Sequence, residues 1–268
     1  YTMIFHYLKI AFRNLCKYKT QNVISIIGLA VGLLCFCVCI YCSRFVENTD
    51  HCFANHDRIA ELNLYDGKAD RYFSGSPIPL AEELRTWALG ETEAISSVTY
   101  PRERPYYVEL SPEKTLPYEL ETIEIDTCYN KIFTPEMVAG HWKMASQSLN
   151  SVILSQSMAI KIFGNAESAI GKHMTLMRRL NTSPESTPKT GGIVYTIQAV
   201  MKDISLNNSL DFMQNIDMLT VNDSEGLLQS PKRHNMTGAN TYVLLSPQTT
   251  CTDLEKQFSK RDYTYTLG

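Results

Sequence analysis

Charge imbalance is missing from this sequence. Its 25 Lys and Arg stand against 28 Asp and Glu, a formal net charge of -3 over 268 residues. There is neither the basic excess that grips a phosphate backbone nor the acidic run of a disordered tail, so nucleic acid is not an expected partner. Cysteine is scarce where it could staple a fold. Of the eight, Cys16 precedes a long apolar run, and Cys35, Cys37, Cys39 and Cys42 lie within it as small apolar fillers. Only Cys52, Cys128 and Cys251 follow, widely spaced and odd in number, which implies no disulfide framework, although one bridge is compatible with it.

Catalytic signatures are missing too. No GxSxG elbow occurs, and no cysteine sits in a nucleophile context. Paired acids such as Glu82-Glu83 read as the solvated face of a helix. The histidines His6, His51, His56, His141, His173 and His234 are scattered. They gather only in DHCFANHD, where Asp50, His51, Cys52, His56 and Asp57 could in principle ligate a metal. That segment has no CxxC or HExxH spacing and reads as a polar connector. No catalytic, cofactor-binding or metal-ligating residue is expected in this chain.

One stretch imitates a phosphate loop. FGNAESAIGK, residues 163–172, carries two glycines and a closing Gly-Lys. A phosphate cradle requires a glycine five residues before that Gly-Lys and a Ser or Thr after it. Here Ala166 and His173 occupy those places, and the expected helix, Gln156 to Phe163, precedes the glycines. Gly164 is read as a helix C-cap, Gly171 as a turn residue and Lys172 as a solvated charge.

What the sequence does contain is an uninterrupted apolar run. VISIIGLAVGLLCFCVCIYC, residues 23–42, has neither a charge nor a proline. As a helix rising about 1.5 Å per residue, it matches a hydrocarbon layer of about 30 Å. A cleaved signal peptide is the competing reading, but its apolar part is usually only about 7–15 residues long and ends at a small-residue cleavage site, which is not evident after Cys42. Residues 1–22 carry Lys9, Arg13, Lys17 and Lys19 without an acid, whereas Arg44 beyond the run is balanced by Glu47 and Asp50. The positive-inside rule then places residues 1–22 on the cytoplasmic side and residues 43–268 outside.

Ahead of the run, Ile4, Leu8, Phe12 and Leu15 recur at helical spacing beside the basic stripe Lys9, Arg13 and Lys17. This is an amphipathic helix suited to the membrane interface; the simpler alternative is the first turns of a longer spanning helix. Gly28 and Gly32 form a GxxxG pair at which a second helix could approach closely.

Beyond residue 43 helical and strand signals mix without a regular β-α-β rhythm, giving an α+β class. A helix is expected from Ser76-Pro77 to about Leu89, with strands near 97–100, 106–110 and 118–125. Another strand, 152–154, leads into a helix capped by Ser155. A long hairpin is expected from strands at about 174–180 and 193–201 around the loop 181–192. A strand at 241–245 precedes a final helix opened by a capping box of Thr252 and Glu255.

Six segments, in this order, resemble the permease subunits of MacB/FtsX-type ABC transporters, of the kind abundant in Bacteroidetes. They are Tyr7 to Leu33, the junction Asp50, Phe53, Asn55, Asp57, Arg58 and Ile59, then Ser76 to Leu84, Val152 to Lys172, Tyr195 to Phe212 and Thr241 to Phe258. The chain departs from the family's pattern at Ala169, where proline is frequent, at Ala60, where a bulky aromatic is usual, and in the length of the 181–192 loop. The family also continues into three further membrane helices, so a truncated chain is expected.

The resemblance implies a non-catalytic permease subunit in the inner membrane. A separate cytoplasmic ATPase subunit would bind ATP and Mg, and its motion would pass to a periplasmic domain by mechanotransmission. A second permease copy and, for efflux across two membranes, a periplasmic adaptor are the other implied partners. The implied division is an interfacial helix (1–22), a span (23–42), a connector (43–55), a porter-like lobe with βαβ character (56–115 and 205–268) and an inserted β-rich lobe (116–204). The alternatives from other classes are a single-span sensor with an outer ligand-binding domain, and an anchored extracytoplasmic enzyme.

Overall fold

The computed structural model describes residues 2–67, 69–111, 114–148, 150–176, 192–210, 215–221 and 237–260. It forms two compact units, Tyr1–Thr49 and Asp50–Gly268.

The first unit is helical. Helix α1 (Thr2–Lys17) is separated from α2 (Lys19–Glu47) by Tyr18, whose φ of -108° and ψ of 52° interrupt the helix. Lys9, Arg13 and Lys17 are exposed; the side chains of Ile4, Leu8, Phe12 and Leu15 lie outside the described ones. Helix α2 contains the whole run 23–42, and none of its residues is buried. It is long and apolar enough to cross a membrane. A helix apolar on every side needs lipid or protein around it, because water gives its side chains nothing in exchange for the exposed area. At its end the Asn48 backbone amide and side-chain amide both donate to the Arg44 carbonyl, at 3.1 and 2.7 Å.

The second unit is built on one continuous sheet. In chain order come β1 (Ile59–Leu62), β2 (Leu64–Asp66), β3 (Arg71–Phe73), β4 (Ser76–Pro77), α3 (Leu80–Thr86), β5 (Thr92–Thr99), β6 (Arg102–Ser111) and β7 (Lys114–Ile125). They are followed by α4 (Tyr129–Phe133), β8 (Met137–Gly140), α5 (Trp142–Gln147), β9 (Ser151–Ser155), α6 (Gln156–Phe163), β10 (His173–Leu176), β11 (Val194–Met201), β12 (Met218–Val221), β13 (Thr237–Leu245) and α7 (Cys251–Ser259). The main sheet runs β1-β13-β5-β7-β12-β9-β11-β10-β6, with β4 added to β13 and β8 to β11, while β2 and β3 form a separate hairpin. Because β6 also pairs with β7, the ring β7-β12-β9-β11-β10-β6 closes into a six-stranded barrel. Strands β5 and β6 keep nearly one antiparallel register against β7, from Val98↔Ile125 to Ser111↔Lys114. Together they act as one long bent strand joining the open part of the sheet to the barrel.

The alternation of side chains sorts most of the apolar residues into three large cores, with Ile78 and Ala239 as a small fourth. Tyr106, Val108, Leu120, Val152, Leu154, Met174, Tyr195, Ile197 and Met218 fill the barrel side, closed by Met158, Ala159 and Ile162 of α6. The opposite faces of the same strands, through Ile123, Ile153, Ala199, Leu219 and Val221, meet α4 and the inner face of β13, with Tyr242 and Leu244. The outer face of β5 and β13, through Ile95, Val243 and Leu245, is covered by Leu80, Ala81 and Leu84 of α3 and Leu254 of α7. Strands buried on both faces must be apolar throughout, and β9 (SVILS) has all five residues buried.

Two local expectations change in the structure. Ser76 and Pro77 do not open a helix: they lie extended against β13, and the Ser76 hydroxyl bonds with the Thr241 hydroxyl at 2.7 Å. Pro79 disfavours a helical Ile78, so α3 begins only at Leu80. The capping box of α7 uses Thr250 and Asp253. The Asp253 amide donates to the Thr250 hydroxyl at 3.3 Å, and the Thr250 amide donates back to the Asp253 carboxylate at 3.2 Å. The same chemistry is available two residues later, but the preceding turn, with Gln248 at φ +69°, ends at Thr249 and makes Thr250 the first residue able to cap.

Candidate functional site

The first residues of the second unit are tied to several elements distant in sequence. Asp50 takes a left-handed φ of +65°, its amide donates to the Asn207 carbonyl at 3.1 Å, and its carboxylate accepts from the Ser209 amide at 2.7 Å. Phe53 is buried and meets Phe133 edge-on, with ring centroids 4.9 Å apart. The Asn55 side-chain amide donates to the carbonyls of Lys131 and Ile132 at 3.3 and 3.2 Å. The Arg58 guanidinium reaches the Leu245 carbonyl at 3.0 Å and the Glu93 carboxylate at 3.0 Å.

Each side chain grips a different part of the fold. Asp50 holds the segment around 205–210, Phe53 enters the central core, Asn55 reads the backbone of α4, and Arg58 joins β13 to β5. Asp57, by contrast, is exposed, and among the described residues it pairs only with the neighbouring His56, at 3.2 Å. The ten residues from Asp50 to Ile59 thus form a clasp on several elements at once.

The same residues do not assemble a metal centre. Among the described residues, no group of three or more His, Cys, Asp and Glu side chains is placed to hold an ion. The rings of His51 and His56 lie against each other, with centroids 4.2 Å apart. Cys52 is exposed at the surface, but partial desolvation, helped by the Asp50 carboxylate, pushes its thiol up.

In FGNAESAIGK, the Ser155 hydroxyl accepts from the Met158 amide to open α6, and Gly164 closes that helix at φ +88°. Gly171 takes φ +77°, and its amide donates to the Ile197 carbonyl at 2.8 Å. Lys172 is exposed. The Gly171 amide is thereby committed to the sheet and is not available for an anion. Gly28 and Gly32 lie in α2, where a Cβ added at either would meet no described atom within 4 Å.

Two polar clusters have no counterpart in the motifs read from sequence. Asp126, at the end of β7, accepts from the Ser96 hydroxyl at 2.7 Å, the Ser97 amide at 3.1 Å and the Cys128 amide at 3.0 Å, and pairs with Arg85 of α3. Arg85 also donates to the Ile95 carbonyl at 2.9 Å. On the barrel side, Arg104 meets the buried Glu124 at 2.5 Å. Both pairs join positions far apart in the chain, so no local spacing announces them. The one available signal was an unexplained charge beside strand-forming residues, as in YPRERPYYVEL.

No known family model matches the chain, and no curated protein matches it significantly. Among solved structures it is similar to a domain assigned to a permease protein from Porphyromonas gingivalis, at 21% identity and a TM-score of 0.57, over 78% of this chain and 87% of that one. Weaker likenesses are to the periplasmic region of MacB from Actinobacillus actinomycetemcomitans (15% identity, TM-score 0.46, 75% of this chain and 79% of that one) and to the extracellular domain of the noncanonical ABC-type transporter YknZ from Gram-positive bacteria (12%, 0.44, 74% and 87%). At these identities the first likeness speaks to the fold alone, and the other two are too distant to add to it.

Proposed function

We propose that this chain is a non-catalytic permease subunit of an ABC transporter of the MacB/FtsX type. Its fold, shared with the domain of a permease protein, is the observation that supports the reading most directly. The order of the six sequence segments supports it independently. On this reading α2 spans the inner membrane, the domain from Asp50 onward is periplasmic, and Lys9, Arg13 and Lys17 face the anionic cytoplasmic leaflet.

The clasp gives the reading a mechanism. A separate cytoplasmic ATPase would bind ATP and Mg and move the membrane helices, and Asp50, Phe53, Asn55 and Arg58 would carry that motion into the sheet. The domain then serves as the moving part for export or release of a substrate. We assign the porter-like lobe to 56–115 and 205–268 and the inserted lobe to 116–204. Strand β7 straddles the boundary, and β6 and β12 of the porter-like assignment pair with β7, β9 and β10, so both assigned lobes share one continuous sheet. The exposed Gly28 and Gly32 would seat a second permease copy.

Co-expression with the candidate ABC ATPase subunits of the same genome tests this directly. The expected result is a detergent-stable complex in which ATP hydrolysis depends on the ATPase. Hydrolysis by this chain alone, or failure of the two to co-purify, overturns it. Replacing Gly28 and Gly32 by leucine should weaken self-association in membrane crosslinking. Unchanged crosslinking removes the helix-packing assignment and leaves the permease reading standing.

A further inference from the structure

The face that β1 and β13 turn toward the central core carries an unbalanced set of hydrogen-bond acceptors. Glu61 lies opposite Tyr242 in the β1–β13 register, and Asn240, two residues earlier on β13, stands diagonally from Glu61 on the same face. Diagonal neighbours on adjacent strands lie within reach of a side chain as long as glutamate. The Asn240 amide nitrogen donates to the Tyr242 hydroxyl at 3.3 Å, which leaves its oxygen to find a donor. Among the described residues that oxygen has none, and neither has the buried Oε1 of Glu61.

Glu61 forms no ion pair among the described residues. The charged group acting on it is another carboxylate, Asp50 of the clasp; the Ser74 hydroxyl bonds to it from the segment after β3, and the phenols of Tyr242 on β13 and Tyr100 after β5 sense its charge. A carboxylate half-withdrawn from water, beside a like charge and an acceptor without a donor, lacks one hydrogen atom.

We propose that Glu61 is a proton-binding site whose proton completes a Glu61–Asn240–Tyr242 hydrogen-bond chain and tightens the edge strand β1 against β13. With the proton bound, Glu61 donates to the Asn240 oxygen while the Asn240 nitrogen donates to the Tyr242 hydroxyl, as Asn240 is oriented here. When the proton leaves, the amide must turn over, so that its nitrogen serves the Glu61 carboxylate and its oxygen accepts from the Tyr242 hydroxyl. The chain thereby reverses direction, and the bare carboxylate is left facing Asp50. Burial holds the Glu61 carboxyl above its ordinary range against the opposing Ser74 hydrogen bond, with a smaller push in the same direction from Asp50, which agrees with this geometry. Since the folded form holds the proton more tightly than the unfolded one, the attachment of β1 strengthens as pH falls through the folded-state titration. Strand β1 directly follows the clasp, so the proton bears on how firmly the clasp is seated. The inference does not depend on the permease reading.

The test is amide hydrogen exchange of the full chain in detergent, corrected for intrinsic rates, from about pH 5 to pH 8, above the ordinary glutamate value of about 4.3. Across this window the protection of Ala60 and Leu62 should fall by about tenfold for each unit by which the Glu61 carboxyl exceeds the acid end of the range, about pH 5. Glu61→Gln, whose amide can donate as the protonated acid does, should hold the acid-side protection at every pH. Asp50→Asn should move the midpoint down without abolishing it. Protection of β1 that does not change with pH in the natural sequence, or that keeps the same pH dependence in Glu61→Gln, overturns the proposal.

Discussion

Truncating Phe53 to alanine should loosen the second unit from its first residues inward. The ring is 5% exposed and sits in the central core with Phe133, Tyr129 and Tyr242. Removing a buried phenylalanine leaves a cavity that well-packed neighbours fill only in part, at a cost of about 3–5 kcal/mol. Of that, the edge-to-face contact with Phe133 represents about 0.5–1.5 kcal/mol. Phe53→Leu preserves most of the volume and should cost less than about 1.5 kcal/mol.

The chain contains two tryptophans, which report on different cores. Trp142 stacks on Tyr129 at 6.2 Å beside the Phe53 cluster, whereas Trp87 meets Phe258 at 6.0 Å on the far side of β13. In a Trp87→Phe background, denaturant unfolding of the full chain in detergent, followed by Trp142 fluorescence, isolates the relevant core. A lower midpoint for Phe53→Ala with a small effect of Phe53→Leu supports the packing argument. A loss below about 1 kcal/mol for the alanine variant would mean that the ring carries no such burden, and the clasp would rest on polar contacts alone.

Asp126→Asn should destabilise the unit by about 2–4 kcal/mol, because Arg85 loses its ion-pair partner while Ser96, Ser97 and Cys128 lose a charged acceptor; thermal unfolding measures it. Gly140→Ala should cost more than a typical surface change, since Gly140 has φ +70° and a Cβ there would come within 2.8 Å of Ala199 Cα; the same melt, compared with Gly90→Ala, checks this. Thr250→Ala should fray α7 by about 1 kcal/mol, read as faster exchange of the Asp253 amide. The Thr250 hydroxyl and amide hold the Asp253 carboxylate below its ordinary range, so this cap is intact above that range and is lost as pH falls through the lowered value.

How much of this was legible depends on where the information lies along the chain. The apolar run, the Ser155 cap and the turn at Gly164 are local, and neighbouring residues suffice to write them. Ser76-Pro77 misled because its serine satisfies Thr241, a residue in a strand much later in the chain. The capping box expected at Thr252 and Glu255 stands two residues earlier, at Thr250 and Asp253, because the turn at Ser246–Thr249 decides which threonine can cap. Barrel closure was hidden for a similar reason: the β10–β11 hairpin could be expected, but closure depends on β10 also meeting β6, a pairing that no local pattern encodes. In the clasp, the residue types could be read, but the partners of Asn55 and Arg58 could not, since Ile132 and Leu245 contribute only carbonyls. A carbonyl has no residue identity to recognise.

Strand β9 is covered on both faces, so it carries no polar side that marks which way is out. A slip of one residue would exchange Ile153 with its apolar neighbours Val152 and Leu154 between two cores, a change that hydrophobicity alone barely opposes. The serines at its ends resolve the ambiguity. The Ser151 hydroxyl donates to the Ala145 carbonyl, and Ser155 must stand where it can cap α6. These two hydroxyls act as index marks for a strand that would otherwise have none, and their loss should appear as a mixture of registers before it appears as a loss of structure.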